Sequence, residues 1–173
     1  MSIKNKQVSA IEKETMRKVA WRILPFLIVC YVIAIIDRGN IGMASLQMNA
    51  DLGLTAKAFG FASSLFFFAY FLFEVPSNLA MQKFGAKKWI ARIMISWGIV
   101  TMCTAFVNSP TSLYVMRFLL GAAEAGFFPG VILYLTYWLP ASYRARMVAI
   151  FMVAIPAANF IGSPLSGLLM SFD

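Results

Sequence analysis

Asp37 and Arg38 stand side by side in the stretch IVCYVIAIIDRGNIGM, residues 28–43. Arg117 and Glu124 stand seven residues apart in RFLLGAAEAGFFPG, residues 117–130. A carboxyl group takes up or releases a proton, and a guanidinium presents a planar fork that grips a carboxylate through two parallel hydrogen bonds. Two of each make a set that can pair among themselves or face a shared, charged site. The setting is what needs explaining. Nine apolar residues run up to Asp37, and the apolar pattern resumes at Ile41.

Composition identifies the solvent around those charges. The chain has 173 residues, is 61% hydrophobic and has a mean hydropathy of +0.77, against roughly 45–50% apolar content in soluble domains. A core of this length cannot hide so much apolar surface, so lipid must surround most of it. The net charge of +8 does not point to nucleic acid, because the basic residues gather at the ends of apolar runs, as in membrane proteins. Histidine is absent, which removes His-based metal sites and His-based acid–base catalysis. No phosphate-binding loop or dinucleotide fingerprint occurs. Cys30 and Cys103 lie singly in apolar runs and read as packing residues. No cofactor, metal or enzymatic activity is expected.

The elements that must position the charges are therefore membrane helices, and the fold class is all-α and polytopic. Residues 1–18 form a polar, cytoplasmic amino-terminal segment. Residues 19–173 then carry five spans, at about 21–48, 58–81, 89–107, 111–138 and 147–170. Each meets the roughly 20 residues needed to cross a hydrocarbon core, and backbone satisfaction in lipid makes them helices. Outside the spans, twelve Lys and Arg fall on the amino-terminal side and one, Lys57, on the other. That bias predicts a multi-pass protein of the cell inner (plasma) membrane with a cytoplasmic amino terminus. An odd number of spans reads as an incomplete transporter, either a fragment or a truncated reading frame.

At about 1.5 Å of rise per residue, Asp37 lies about 21 Å into the first span and Arg117 about 9 Å into the fourth, which runs the other way. The two are level, with Glu124 about 10 Å deeper and nearly on Arg117's helical face. Burying one charge near a bilayer centre costs at least about 2.5–3.5 kcal/mol. Four at overlapping depths predict a shared, water-accessible cavity, although static salt bridges that orient helices are the plainer reading. Glu74, near the cytoplasmic end of the second span, is on the same side as Arg144 and Arg146, and a gating ion pair is expected there. Tyr70, one turn before Glu74, either reaches a ligand or packs. Gly121, Ala122, Ala123, Ala125 and Gly126 form a small-residue surface for close helix approach. Pro129 is expected to break the ladder and bend the fourth span, and GSPLSG, residues 162–167, to kink the fifth.

At these residues the sequence resembles the major facilitator superfamily, and within it the anion:cation symporter family. The blocks are DRGNIG, FLFEVPSNL, FGAKKWIARIMISWG, RFLLGAAEAGFFPG and LTYWLPASYRARMVAIFM, spread over residues 19–170. The resemblance implies a twelve-helix proton-coupled importer of organic anions, of which this chain would be the first five helices of the amino-terminal bundle. It implies Asp37 and Glu124 as proton-linked carboxylates, Arg38 and Arg117 as anion-side arginines, and Tyr70 as a cavity-facing aromatic. The superfamily's G-x-x-x-D-R-x-G loop reads NLAMQKFG here, with Asn78 for the glycine and Gln82 for the aspartate. Glu74 is expected to take over part of that aspartate's gating contact.

The mechanism expected from these groups is simple. Protonating Glu124 or Asp37 frees guanidinium groups for a substrate carboxylate, so anion and proton favour each other's binding. The expected function is import of a small organic anion such as tartrate, a sugar acid or an aromatic carboxylate with protons. The expected partners are that anion, protons, the lipid bilayer and the missing carboxyl-terminal helices. The alternative is a non-transporting small membrane protein whose charges pair helices.

Overall fold

A computed structural model describes residues 3–51 and 54–170. Every regular element among them is helical, in the order α1 (Ile3–Asp51), α2 (Ala56–Phe84), α3 (Ala86–Thr104), α4 (Pro110–Glu124), α5 (Phe127–Trp138), α6 (Ala141–Met152) and α7 (Ala154–Met170). Four stretches of the described residues are long and apolar enough to cross a membrane: Ala10–Asn40, Ala56–Phe84, Pro110–Trp138 and Ala141–Gly162. The expected third span, 89–107, falls largely on α3, whose first two turns carry Lys87, Lys88 and Arg92. The polar segment before the first span is also helical from Ile3, and Lys18 pairs with Glu14 one turn away at 2.8 Å.

The chain divides into two bodies. One comprises residues 41–133, the other residues 1–40 with 134–173. In the first body α2 packs along α4, and α3 packs against both. The start of α2 is set by Thr55, whose side chain accepts from the Ala58 amide, supplying one of the partners a helix start lacks. It ends at Gly85, whose φ of +87° suits only glycine and turns the chain at once into α3. The start of α4 is held by a reciprocal capping box in which Ser109 and Ser112 each satisfy the other's backbone amide, with Pro110 in the first turn.

The register of α2 on α4 and α5 follows from their contacts. Leu54, Ala62 and Leu113 cluster at one end. Further along, Gly121 presses on the Phe66 carbonyl and Ala69, Gly126 on Ser77, and Gly130 on Met81. The numbers rise together along both segments, so the helices run parallel. The outward face of α2 exposes Phe67, Phe68, Phe71, Leu72, Val75 and Leu79, a continuous apolar surface suited to lipid.

The expected fourth span comes as two helices. The ladder stops at Ala125, whose ψ is 132°, and Gly126 follows at φ +83°. The break is thus not made by Pro129. That residue falls in the first turn of α5, where its missing N–H removes no ladder bond. In the second body the helical run is interrupted at Val153, between α6 and α7, while Pro164 lies inside α7. The side chains at 163, 165 and 166 of the expected kink element lie outside the described residues. Here Tyr31 stacks on Phe151 with ring centroids 4.7 Å apart, and Ile36 lies against Gly162.

Candidate functional site

The charged face of α4 is dictated by its spacing. Leu113, Arg117, Leu120, Gly121 and Glu124 are all buried and recur at the three- and four-residue steps that make one helical stripe. An arginine and a glutamate thus share a stripe that is otherwise apolar. Among the described residues the buried polar side chains are Ser77 at 6% exposure, Arg117 at 5% and Glu124 at 2%. Burying two charges costs several kcal/mol each before any compensation. Stability alone is a poor reason to keep them, since well-packed apolar residues often serve as well or better.

Glu124 is the last residue of α4, and the break follows at once. The Ala125 amide still reaches the Gly121 carbonyl at 3.0 Å, and the Gly130 amide bonds to the Gly126 carbonyl at 2.9 Å, which starts α5. Where Gly126 turns, it lies directly on α2. A Cβ there would sit 2.5 Å from Ser77 Oγ and 2.7 Å from Ser77 Cβ, closer than real side chains approach. Gly126 therefore meets two demands, an αL-side φ and contact with Ser77, that no other residue meets without strain.

Ser77 is itself held. Trp89 Nε1 donates to Ser77 Oγ at 2.9 Å. The Trp89 ring is fixed by Phe84, stacked at 5.6 Å, and by the Arg92 guanidinium 4.2 Å from the ring centroid, a cation–π arrangement. A path of contacts thus runs from the α2–α3 turn through Ser77 to the break beside Glu124. Neither Ser77 nor Trp89 stands out in the sequence. A hydroxyl next to Pro76 and a tryptophan in a basic stretch each have ordinary readings, and only the close approach of Gly126 joins them.

The other expected residues fall as follows. Tyr70 and Glu74 are half-buried on α2, one turn apart, and the Tyr70 ring tilts against Phe66 at 6.2 Å. The Glu74 carbonyl accepts from Asn78 Nδ2 at 3.0 Å. Arg117, Glu124, Tyr70 and Glu74 belong to the body of residues 41–133. Asp37, Arg38, Arg144 and Arg146 belong to the other. In that body Asp37 and Arg38 are half-buried on α1, Arg144 is half-buried on α6 and Arg146 is exposed. No cluster of metal-ligating side chains occurs among the described residues.

Comparison with known proteins adds an independent line. The model of the Major Facilitator Superfamily matches residues 27–173. The chain is 56% identical over 160 residues to a protein of Agrobacterium vitis named as a proposed tartrate transporter, covering 92% of this chain and 36% of that relative. It is 54% identical over 157 residues to NicT of Pseudomonas putida, named as a proposed metabolite transport protein, covering 90% and 36%. It is 48% identical over 162 residues to a quinolone resistance transporter of Acinetobacter baumannii, covering 94% and 37%. The chain thus spans about a third of the length of these relatives. They are named as transporters, not enzymes.

Proposed function

Because the chain belongs to the major facilitator superfamily, we propose that it forms the amino-terminal part of a proton-coupled symporter that imports a small organic anion. The observation that carries this reading is the burial of Arg117 and Glu124 on one stripe of a membrane helix. Ionisable groups inside membranes mark substrate and ion pathways. The anion class is of the tartrate, sugar-acid or aromatic-carboxylate type. Tartrate is the first choice because the Agrobacterium vitis relative shares 56% identity with this segment, and two arginines suit a substrate with two carboxylates.

In this mechanism Arg117 and Arg38 take the substrate carboxylates as bidentate partners, and Tyr70 offers its phenol to the same ligand. Glu124 and Asp37 carry the protons. While both acids are ionised they compete with substrate for the arginines, and protonation lifts that competition. Proton and anion therefore strengthen each other's binding, a coupling that is reciprocal by linkage. Glu74, Arg144 and Arg146 act in gating. Rocking of this helix bundle against the further helices that complete such transporters carries both ligands inward. The amino terminus lies on the cytoplasmic side of the cell inner (plasma) membrane, as the basic residues favour. A label at Gln82 is then reached from the cytoplasm and one at Ser109 from outside, and the reverse pattern overturns this orientation.

The deciding experiment is Glu124→Gln in the transporter that carries this segment, reconstituted in vesicles. Glutamine mimics the protonated acid permanently, so substrate exchange persists while uphill, proton-driven accumulation is lost. Equal loss of both, or loss of neither, removes Glu124 from the coupling role.

A further inference from the structure

We infer that Ser77 is the positioning residue of Glu124: held by Trp89, it seats Gly126 and keeps the fourth span broken immediately beyond the acid. The inference deepens the proposed function and rests on the reading of Glu124 as a proton carrier. Its test reads the placement of that carboxyl whether or not transport follows.

Three observations carry it. First, the break needs a cause, and the nearest proline does not supply one, because Pro129 lies in a turn of α5 that requires no amide from it. Second, Gly126 is buried, holds φ at +83° and is pressed against the Ser77 side chain. Straightening the chain here would move Gly126 away from a contact closer than any Cβ would allow. Third, Ser77 is not free to move aside. It is buried, and its oxygen accepts from Trp89, whose ring contacts both Phe84 and Arg92. The extended backbone at Ala125 also lengthens the path between the two halves. The chain advances five residues from Gly121 to Gly126 while its contacts on α2 move from Phe66 and Ala69 to Ser77. Glu124 sits at the edge of that stretched link, so the seat on α2 fixes where its carboxyl points. Ser77 touches no substrate in this account; it acts through Gly126.

The test uses the transporter that carries this segment, in lipid nanodiscs, and dicyclohexylcarbodiimide, a reagent for protonated carboxyls in apolar surroundings, with adducts counted by peptide mass mapping at Glu124 and Asp37. Ser77→Ala removes the acceptor, and Trp89→Phe keeps an aromatic ring, smaller than the indole, but removes the donor. Each variant should label Glu124 about fivefold faster, the scale of one lost neutral hydrogen bond, with labelling of Asp37 unchanged. If Ser77→Ala fails to insert, Trp89→Phe decides alone. An unchanged or slower rate at Glu124 overturns the inference. So does an equal rise at Glu124 and Asp37, which would make the bond a general brace of the fold. Failure of Glu124→Gln to uncouple transport, with the labelling result intact, would overturn the coupling role and leave the positioning role standing.

Discussion

In the body of residues 41–133, Arg117 and Glu124 are almost wholly buried on a helix that ends at the glutamate, beneath three glycine contacts with α2. In the body of residues 1–40 and 134–173, Asp37 and Arg38 are half-buried on a helix that runs without interruption from Ile3 to Asp51. One acid–arginine set is enclosed and sits at a backbone irregularity. The other is more open and sits on regular helix. The contrast teaches that enclosing a charge in this chain goes with close backbone approach, and that close approach is what bends the backbone. Helices separated by ordinary side chains leave room for water or ligand beside a polar group. Helices that meet at glycine bring backbone against backbone beside it.

The largest test of that contrast is at the glycines. Gly126→Ala places a methyl against Ser77, which as overpacking costs typically about 1–3 kcal/mol, and holds alanine at a left-handed φ, which costs roughly a further 1–2 kcal/mol. A loss of about 3 kcal/mol in unfolding free energy is expected in detergent titrations. Gly39→Ala, beside Asp37 and Arg38, meets nothing within 4 Å on an exposed helix face. It should be neutral or stabilise by up to about 1 kcal/mol. Effects of the same sign and size would erase the distinction between the two regions.

The smaller test is at the arginines, in the transporter that carries this segment. Lysine keeps the charge and loses the planar fork. Arg117→Lys falls at an enclosed position, 5% exposed, so substrate affinity should fall about ten- to hundredfold, the range of one charge-assisted hydrogen bond of roughly 1.5–3 kcal/mol. Arg38→Lys, in its more open setting, should lose less. Equal losses by binding titration would show that enclosure does not set the worth of each arginine.

These contrasts also mark what the sequence made legible. Runs of apolar residues mark the chain as helical, because lipid leaves the backbone no other way to satisfy its polar groups. The expected second span, 58–81, lies inside α2, and the first inside α1. The four ionisable groups stand out because each is costly where it is. The break in the fourth span was misplaced for a physical reason. Proline is the loudest local signal of a broken ladder, yet at Pro129 the break had already been made three residues earlier by a contact from another helix. Nothing in the string AEAGFF distinguishes a glycine that merely packs from one that turns. That depends on Ser77, 49 positions away in the chain, and on the parallel register that brings the two together.

The capping box at Ser109 has a consequence for how motion would be shared along this span. Two reciprocal bonds and a proline clamp the start of α4, and the joint at Ala125–Gly126 lies 15 residues on, about 22 Å at helical rise. The joint is seated on Ser77, so α5 moves only when that seat gives. Arg117 stands nine residues before Gly126 and Glu124 two, so such a release alters the surroundings of Glu124 before those of Arg117. The seat on α2 is the catch of this span, and the acid lies next to it.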